Sequence, residues 1–168
     1  MRRYFYDTEF IDDGRTIDLI SIGVVDESGR EFYAVSTEFD PAKAIPWVRR
    51  NVLEQLPSPA DQAWRSRAEI RDSLLSFLTG PGEPIQLWAW FASYDHVALA
   101  QLWGPMTELP RAIPRFTCEL RQRWVDVGKP ELPAAGSDAH DALADARHNL
   151  SRWQAMEGLA TESFLSGL

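Results

Sequence analysis

Residues 3–36 read RYFYDTEFIDDGRTIDLISIGVVDESGREFYAVS, and this stretch decides the fold. Residues 3–9 are aromatic-rich, suit a pleated surface, and end in two carboxylates, Asp7 and Glu9. Asp12-Asp13-Gly14 is a turn signal. Residues 17–25 are rich in Ile and Val, and Glu27-Ser28-Gly29 turns the chain into a third β-prone run at 31–36. Three strands joined by short Gly-containing turns predict an antiparallel meander.

Beyond residue 36 the period changes. Residues 46–56 predict a short helix closed off by Pro57 and Pro59. Residues 66–78 predict another, with an apolar stripe of Ile70, Leu74, Leu75, Phe77 and Leu78, a capping box from Ser66 and Glu69, and a stop at Gly80. Residues 84–90 read as a fourth, buried strand, and 93–102 as a helix. Pro110 and Pro114 bracket a loop leading to a short strand near Phe116, and 117–125 predict a helix. A Pro/Gly/Ala loop at 128–137 precedes a long final helix at 141–156, with Ser137 or Asp138 as its cap. A meander followed by strands alternating with helices predicts an α/β fold with a mixed sheet flanked by helices. No linker or internal repeat divides the chain, so residues 1–168 are expected to form one domain.

Composition narrows the function. The net charge of −8 argues against a passive nucleic-acid coat, which would need excess Lys and Arg to meet phosphates. It permits an enzyme that grips only a chain end, because part of the negative charge would be met by bound cations. Cys118 is the only cysteine, so no intramolecular disulfide forms. No run matches a membrane span, and Met1-Arg2-Arg3 turns polar too soon for a signal peptide, so a cytoplasmic location is expected.

Three pieces carry chemistry. In Asp7-Thr8-Glu9, residues two apart on a strand share a face, so both carboxylates can enter one site. Such crowding is unfavourable unless a cation neutralises it, and hard oxygen donors suit Mg²⁺ or Mn²⁺. The plainer alternative is a pair of acids at a strand end meeting solvent. In the run from Ala89 to Asp95 a buried strand enters a small-residue turn, with Asp95 in the first turn of the next helix. Strand ends of this kind are where ligands bind, although an acid there also suits the helix dipole. In His140-Asp141-Ala142-Leu143-Ala144-Asp145 a histidine stands at a helix mouth and Asp145 projects from its second turn. Asp141 and Asp145 repel one another at four-residue spacing unless something compensates.

Taken together, Asp-x-Glu on a first strand, an Asp after a later strand, and His-x4-Asp opening the last helix resemble the signature of the DEDDh exonucleases. These include ribonuclease T, oligoribonuclease and the proofreading subunit of bacterial DNA polymerase. The resemblance runs from Asp7 to the final helix, and the small bacterial ribonuclease T-like 3′–5′ exoribonucleases fit its size best. It implies a ribonuclease H-like fold and two divalent metal ions held by Asp7, Glu9, Asp95 and Asp145. It implies His140 as general base, and hydrolysis of the 3′-terminal phosphodiester of single-stranded or overhanging RNA to a nucleoside 5′-monophosphate. A homodimer or higher homo-oligomer is implied too. Thr8 and Phe10, beside the first ligands, are candidates for substrate contact; Phe10 stacks on the terminal base or packs in the core.

The chain departs from the family pattern in places. Phe10-Ile11-Asp12-Asp13-Gly14 stands where many members have Thr-Thr-Gly, Trp90-Phe91 where many have His-Asn, and Phe116-Thr117 where Asp-Thr is frequent. These changes leave the ligands and the base intact and touch the floor that receives the terminal nucleotide. A DNA 3′–5′ exonuclease, or a non-catalytic nucleotide-binding module of the same fold, stands as the alternative. Trp88 and Trp90 are expected in the core, with a base-stacking platform as the lesser alternative. Most of the other tryptophans are expected as packing anchors, with an oligomer interface the alternative for Trp47 or Trp64. Arg49-Arg50 and Arg65-Ser66-Arg67 are expected on solvated helix faces, with phosphate contact the alternative.

Overall fold

The computed structural model describes residues 1–136 and 140–166, those from 159 onward for their helical backbone alone. The meander forms as expected from β1 (Arg2–Asp12), β2 (Ile17–Asp26) and β3 (Glu31–Ser36), paired antiparallel. Gly14 and Gly29 take the positive φ their turns require, 77° and 85°. Helices α1 (Pro46–Asn51) and α2 (Arg67–Thr79) flank a strand the sequence did not announce, β4 (Trp64–Arg65). It pairs parallel to the end of β3 through Val35 and Ser36. Two residues are too few to carry a period, which is why this strand escapes pattern reading. The capping box forms: Ser66 accepts from the Glu69 amide, and the Glu69 carboxylate accepts from the Ser66 amide.

Strand β5 (Ile85–Ala89) runs parallel to β1 and leads into α3 (Ser93–Ala100). The short β6 (Cys118–Glu119) lies two residues beyond its expected place at Phe116, and α4 (Leu120–Asp126) follows directly. The last helix, α5 (Ala142–Ser166), is longer than the 141–156 expected. Asp141 caps it by accepting from the amides of Leu143 and Ala144. Ser137 and Asp138, the expected caps, lie outside the described residues.

The sheet has the order β4-β3-β2-β1-β5-β6. Residues alternate across β1: Tyr4 and Tyr6 pack with Ile70, Leu74 and Leu78 of α2 and Ala98 and Leu99 of α3. Phe5 faces the other way, onto Leu120, Ala146 and Met156. The last helix, α5, approaches β2 closely at its start, and Gly23 makes this possible. A Cβ on Gly23 would fall 2.3 Å from the Ala142 carbonyl oxygen and 2.4 Å from the Leu143 Cα. Among the described residues no helix is long and apolar enough to cross a membrane.

Candidate active site

The pairing of β1 with β5 ends at Phe5 and Trp88. Beyond that point β1 continues alone on this side, and the amide of Thr8 turns to a side chain instead of a strand. It donates to Asp95 Oδ1 at 2.8 Å, and the Thr8 hydroxyl donates to the same oxygen at 2.7 Å. Asp95, in the first turn of α3, is thereby fixed beside Asp7 and Glu9 at the carboxyl end of the parallel pair. A register shift in the β1–β2 pairing between Glu9 and Phe10 re-aims the strand at the same level.

These groups line a cleft of about 320 Å³ with Thr8, Phe10, His140 and Asp145. The seven residues singled out in the sequence thus meet in one place. Ligand atoms of Glu9, His140 and Asp145 all lie within 4.8 Å of one another. His140 has φ 72°, a left-handed conformation unusual for a side chain with a Cβ. Its amide donates to Asp145 Oδ2 at 2.8 Å, and Asp145 donates its own amide to the Asp141 carbonyl at 2.9 Å. The start of α5 therefore holds His140 and Asp145 as one unit.

Charge is crowded here. Burial, followed by Asp95, Glu9 and Asp145, pushes the Asp7 carboxyl well above the usual range, opposed by Arg152. Burial, with Asp145, Asp95 and Asp141, raises Glu9 to about 8. Burial also lifts Asp95 to about 6, even against its two hydrogen bonds from Thr8. Carboxylates held together against their own repulsion suit a hard divalent cation, and the oxygen-rich donor set with one imidazole fits that group.

Several neighbours were not foreseen. Asn149 and Arg152 line the cleft from α5, at four and seven residues beyond Asp145, spacings that share a helix face. Asn149 is buried and donates to the Tyr6 carbonyl at 3.1 Å, and Arg152 donates to Asn149 Oδ1 at 3.0 Å. Trp47 sets its ring edge-on to His140, centroids 4.8 Å apart, so this half-exposed tryptophan belongs to the cleft's rim. Trp64 packs on Phe39 and donates to the Pro57 and Ser58 carbonyls. Phe10 lies outside the core clusters and stacks on the exposed Tyr94, centroids 5.8 Å apart and planes 11° from parallel. Phe91, with φ 59°, is 62% exposed at the cleft, and Glu119 holds its turn by accepting from the amides of Phe91 and Ala92. Of the basic clusters, Arg67 pairs with Asp18, Arg65 bonds Ser73, and Arg49 bonds the Ala42 and Ala44 carbonyls.

Comparison with known proteins places the chain in a family. Residues 2–157 match the family model described as the 3′-5′ exoribonuclease Rv2179c-like domain. The chain is 63% identical to the 3′-5′ exoribonuclease Rv2179c of Mycobacterium tuberculosis strain H37Rv, over 90% of this chain and 91% of that one. The 3′-5′ exoribonuclease MT2234.1 of strain CDC 1551 matches to the same extent. A crystal structure of a full-length 3′-exonuclease superposes with a TM-score of 0.56 at 10% identity, covering 94% of this chain and 83% of that one. At that identity the likeness is one of fold.

Proposed function

The chain belongs to the 3′-5′ exoribonuclease Rv2179c-like family, and from that premise we propose that its cleft is a DEDDh-type, ribonuclease T-like centre that shortens RNA one nucleotide at a time from the 3′ end. The observation that carries this reading is the convergence of Glu9, His140 and Asp145 within 4.8 Å, in a cleft that also holds Asp7 and Asp95. Asp7, Glu9, Asp95 and Asp145 would hold two divalent cations, Mg²⁺ or Mn²⁺. When bound, these supply positive charge that acidifies water and offsets charge building on the leaving oxygen.

The chain's own groups do the rest. A ring nitrogen of His140 takes the proton from water as its oxygen bonds to the terminal phosphorus. The bond from phosphorus to the upstream O3′ breaks, and that oxygen takes up a proton. A nucleoside 5′-monophosphate leaves, and the shortened strand keeps a 3′-hydroxyl. Arg152, whose charge faces Asp7 and Asp145, restrains the acids and lies within reach of a phosphate. The aromatic surface of Phe10 and Tyr94 receives the terminal base by stacking. The Thr8 hydroxyl, already given to Asp95, acts by holding that ligand.

Matched single strands of RNA and DNA, labelled at the 3′-terminal nucleotide, test this. The expected product with Mg²⁺ is labelled mononucleotide from RNA, formed faster than from DNA. His140→Ala should lower turnover about 10²- to 10⁴-fold while cation binding persists. Oligonucleotide products, or an unchanged rate in the histidine variant, would defeat the reading.

A further inference from the structure

Beside the cleft lies a second groove of about 550 Å³, and the two share Trp90 and Arg152 on their common wall. Its far side is built by Trp124 of α4 and the segment from Lys129 to Pro133. Two hydrogen bonds fix that segment in place. Trp124 Nε1 donates to the Pro130 carbonyl at 2.8 Å, and His148 Nε2 donates to the Pro133 carbonyl at 2.8 Å. Lys129 takes φ 57° at the bend, directly after Gly128 at φ 85°.

The groove alternates flat rings with cations. The Arg152 guanidinium lies 4.3 Å from the Trp90 ring, and that of Arg121 lies 4.2 Å from Trp124 and 5.8 Å from Trp90. The Lys129 ammonium stands 5.9 Å from Trp124. Among the described residues none of these three cations forms an ion pair, although Glu131 also lines the groove. Lys129 and Arg152 line the groove itself, Arg152 also facing the acids of the cleft, while Arg121 braces both tryptophans from beside it. In a chain of net charge −8, cations gathered on two tryptophans suit an anionic, flat-ringed ligand. Bases stack on indole and guanidinium planes with little regard to sequence, and phosphates take the remaining donors. Because the groove and the cleft share the wall formed by Trp90 and Arg152, one strand can reach both.

We propose that this groove is a second ribonucleotide subsite, which takes the nucleotide on the 5′ side of the bond that is cut. The proposal rests on the hydrolytic reading of the cleft. It makes the enzyme prefer an unpaired strand of at least two nucleotides, because a base held in a duplex cannot stack here.

Lys129→Glu and Arg121→Gln test it, both at positions away from the cleft. Two substrates are compared with Mg²⁺ present: a short RNA oligonucleotide, and the 4-nitrophenyl ester of a nucleoside 5′-monophosphate, which lacks any upstream nucleotide. The expected result is a rise in KM of about tenfold for the oligonucleotide, with kcat/KM for the ester unchanged. Equal loss on both substrates, or no loss on either, overturns the subsite. A wild-type chain inactive on both contradicts the hydrolytic reading, and a binding measurement then judges the groove alone. The Kd of a 5′-fluorescein RNA in EDTA should weaken by the same factor in both variants, and its log–log salt slope should fall by about 0.7 per lost phosphate contact. An unchanged Kd overturns the subsite whatever the turnover.

Discussion

The same strand pair carries two buried carboxylate centres with opposite fates. Asp26, paired with Tyr4 at one end of the β1–β2 ladder, is fully buried and well provided for. Its oxygens accept from the Ser28 amide and hydroxyl, the Arg30 amide and guanidinium, and the Arg2 guanidinium. Burial alone would raise its pKa, but these bonds hold it well below the usual range. A few residues along, where Asp7 pairs with Gly23, Asp7 and Glu9 face other acids, with Arg152 the nearby cation that offsets Asp7, and their pKa values rise. One centre is complete within the chain and serves stability. The other is incomplete, and the incompleteness is what makes it a candidate for chemistry.

The largest effect expected is on the incomplete centre. Asp7→Asn should cut mononucleotide release on the order of 10³-fold or more, while the metal-free variant melts no lower than the parent, since a crowded acid has become neutral. A melting temperature lowered by several degrees would mean that the parent acid is satisfied, and the contrast would fail. Gly23→Ala comes next. Its Cβ has no room against Ala142, so α5 must shift and carry His140 and Asp145 with it. Turnover should fall about 10²-fold at a stability cost of about 1–3 kcal/mol, read by kinetics and denaturant titration.

At the complete centre the signs reverse. Asp26→Asn should cost about 3 kcal/mol in urea unfolding, because an uncharged amide with one acceptor oxygen replaces a carboxylate that accepts from Ser28, Arg30 and Arg2, with turnover per folded molecule unchanged. The smallest effect is on pH dependence. Asp26, with its folded pKa lowered, contributes stability that is present above about pH 4 and lost as pH falls further. Glu9, raised to about 8, contributes stability that is present below about pH 4 and lost as pH rises through 8. The chelated protein should therefore melt at a lower temperature at pH 8 than at pH 5.5, and Glu9→Gln should flatten that decline.

Much of this was legible in the sequence, for identifiable reasons. Asp7, Glu9, Asp95, His140 and Asp145 each belong to a short motif whose position on a strand or helix follows from local pattern, and all five line the cleft. Tertiary contacts supplied what pattern could not. Nothing local joins Trp47 to His140, or Glu119 to the Phe91 turn. Asn149 and Arg152 did carry a signal, their helical spacing from Asp145, but without the sheet behind them no chemistry attaches to it. The repulsion expected between Asp141 and Asp145 finds its answer in geometry: Asp141 turns its oxygen to the amides that open α5.

On the proposed reading, the acids at the open end of β1 need divalent cations to cut RNA from its 3′ end. The direct test is release of mononucleotide from 3′-labelled RNA by the wild-type chain and by Asp145→Asn, across a Mg²⁺ titration that begins in excess EDTA. The expected result is no release in EDTA, release that grows with Mg²⁺ for the wild type, and none for Asp145→Asn at any concentration. Release in EDTA, or full activity of the variant, would contradict it.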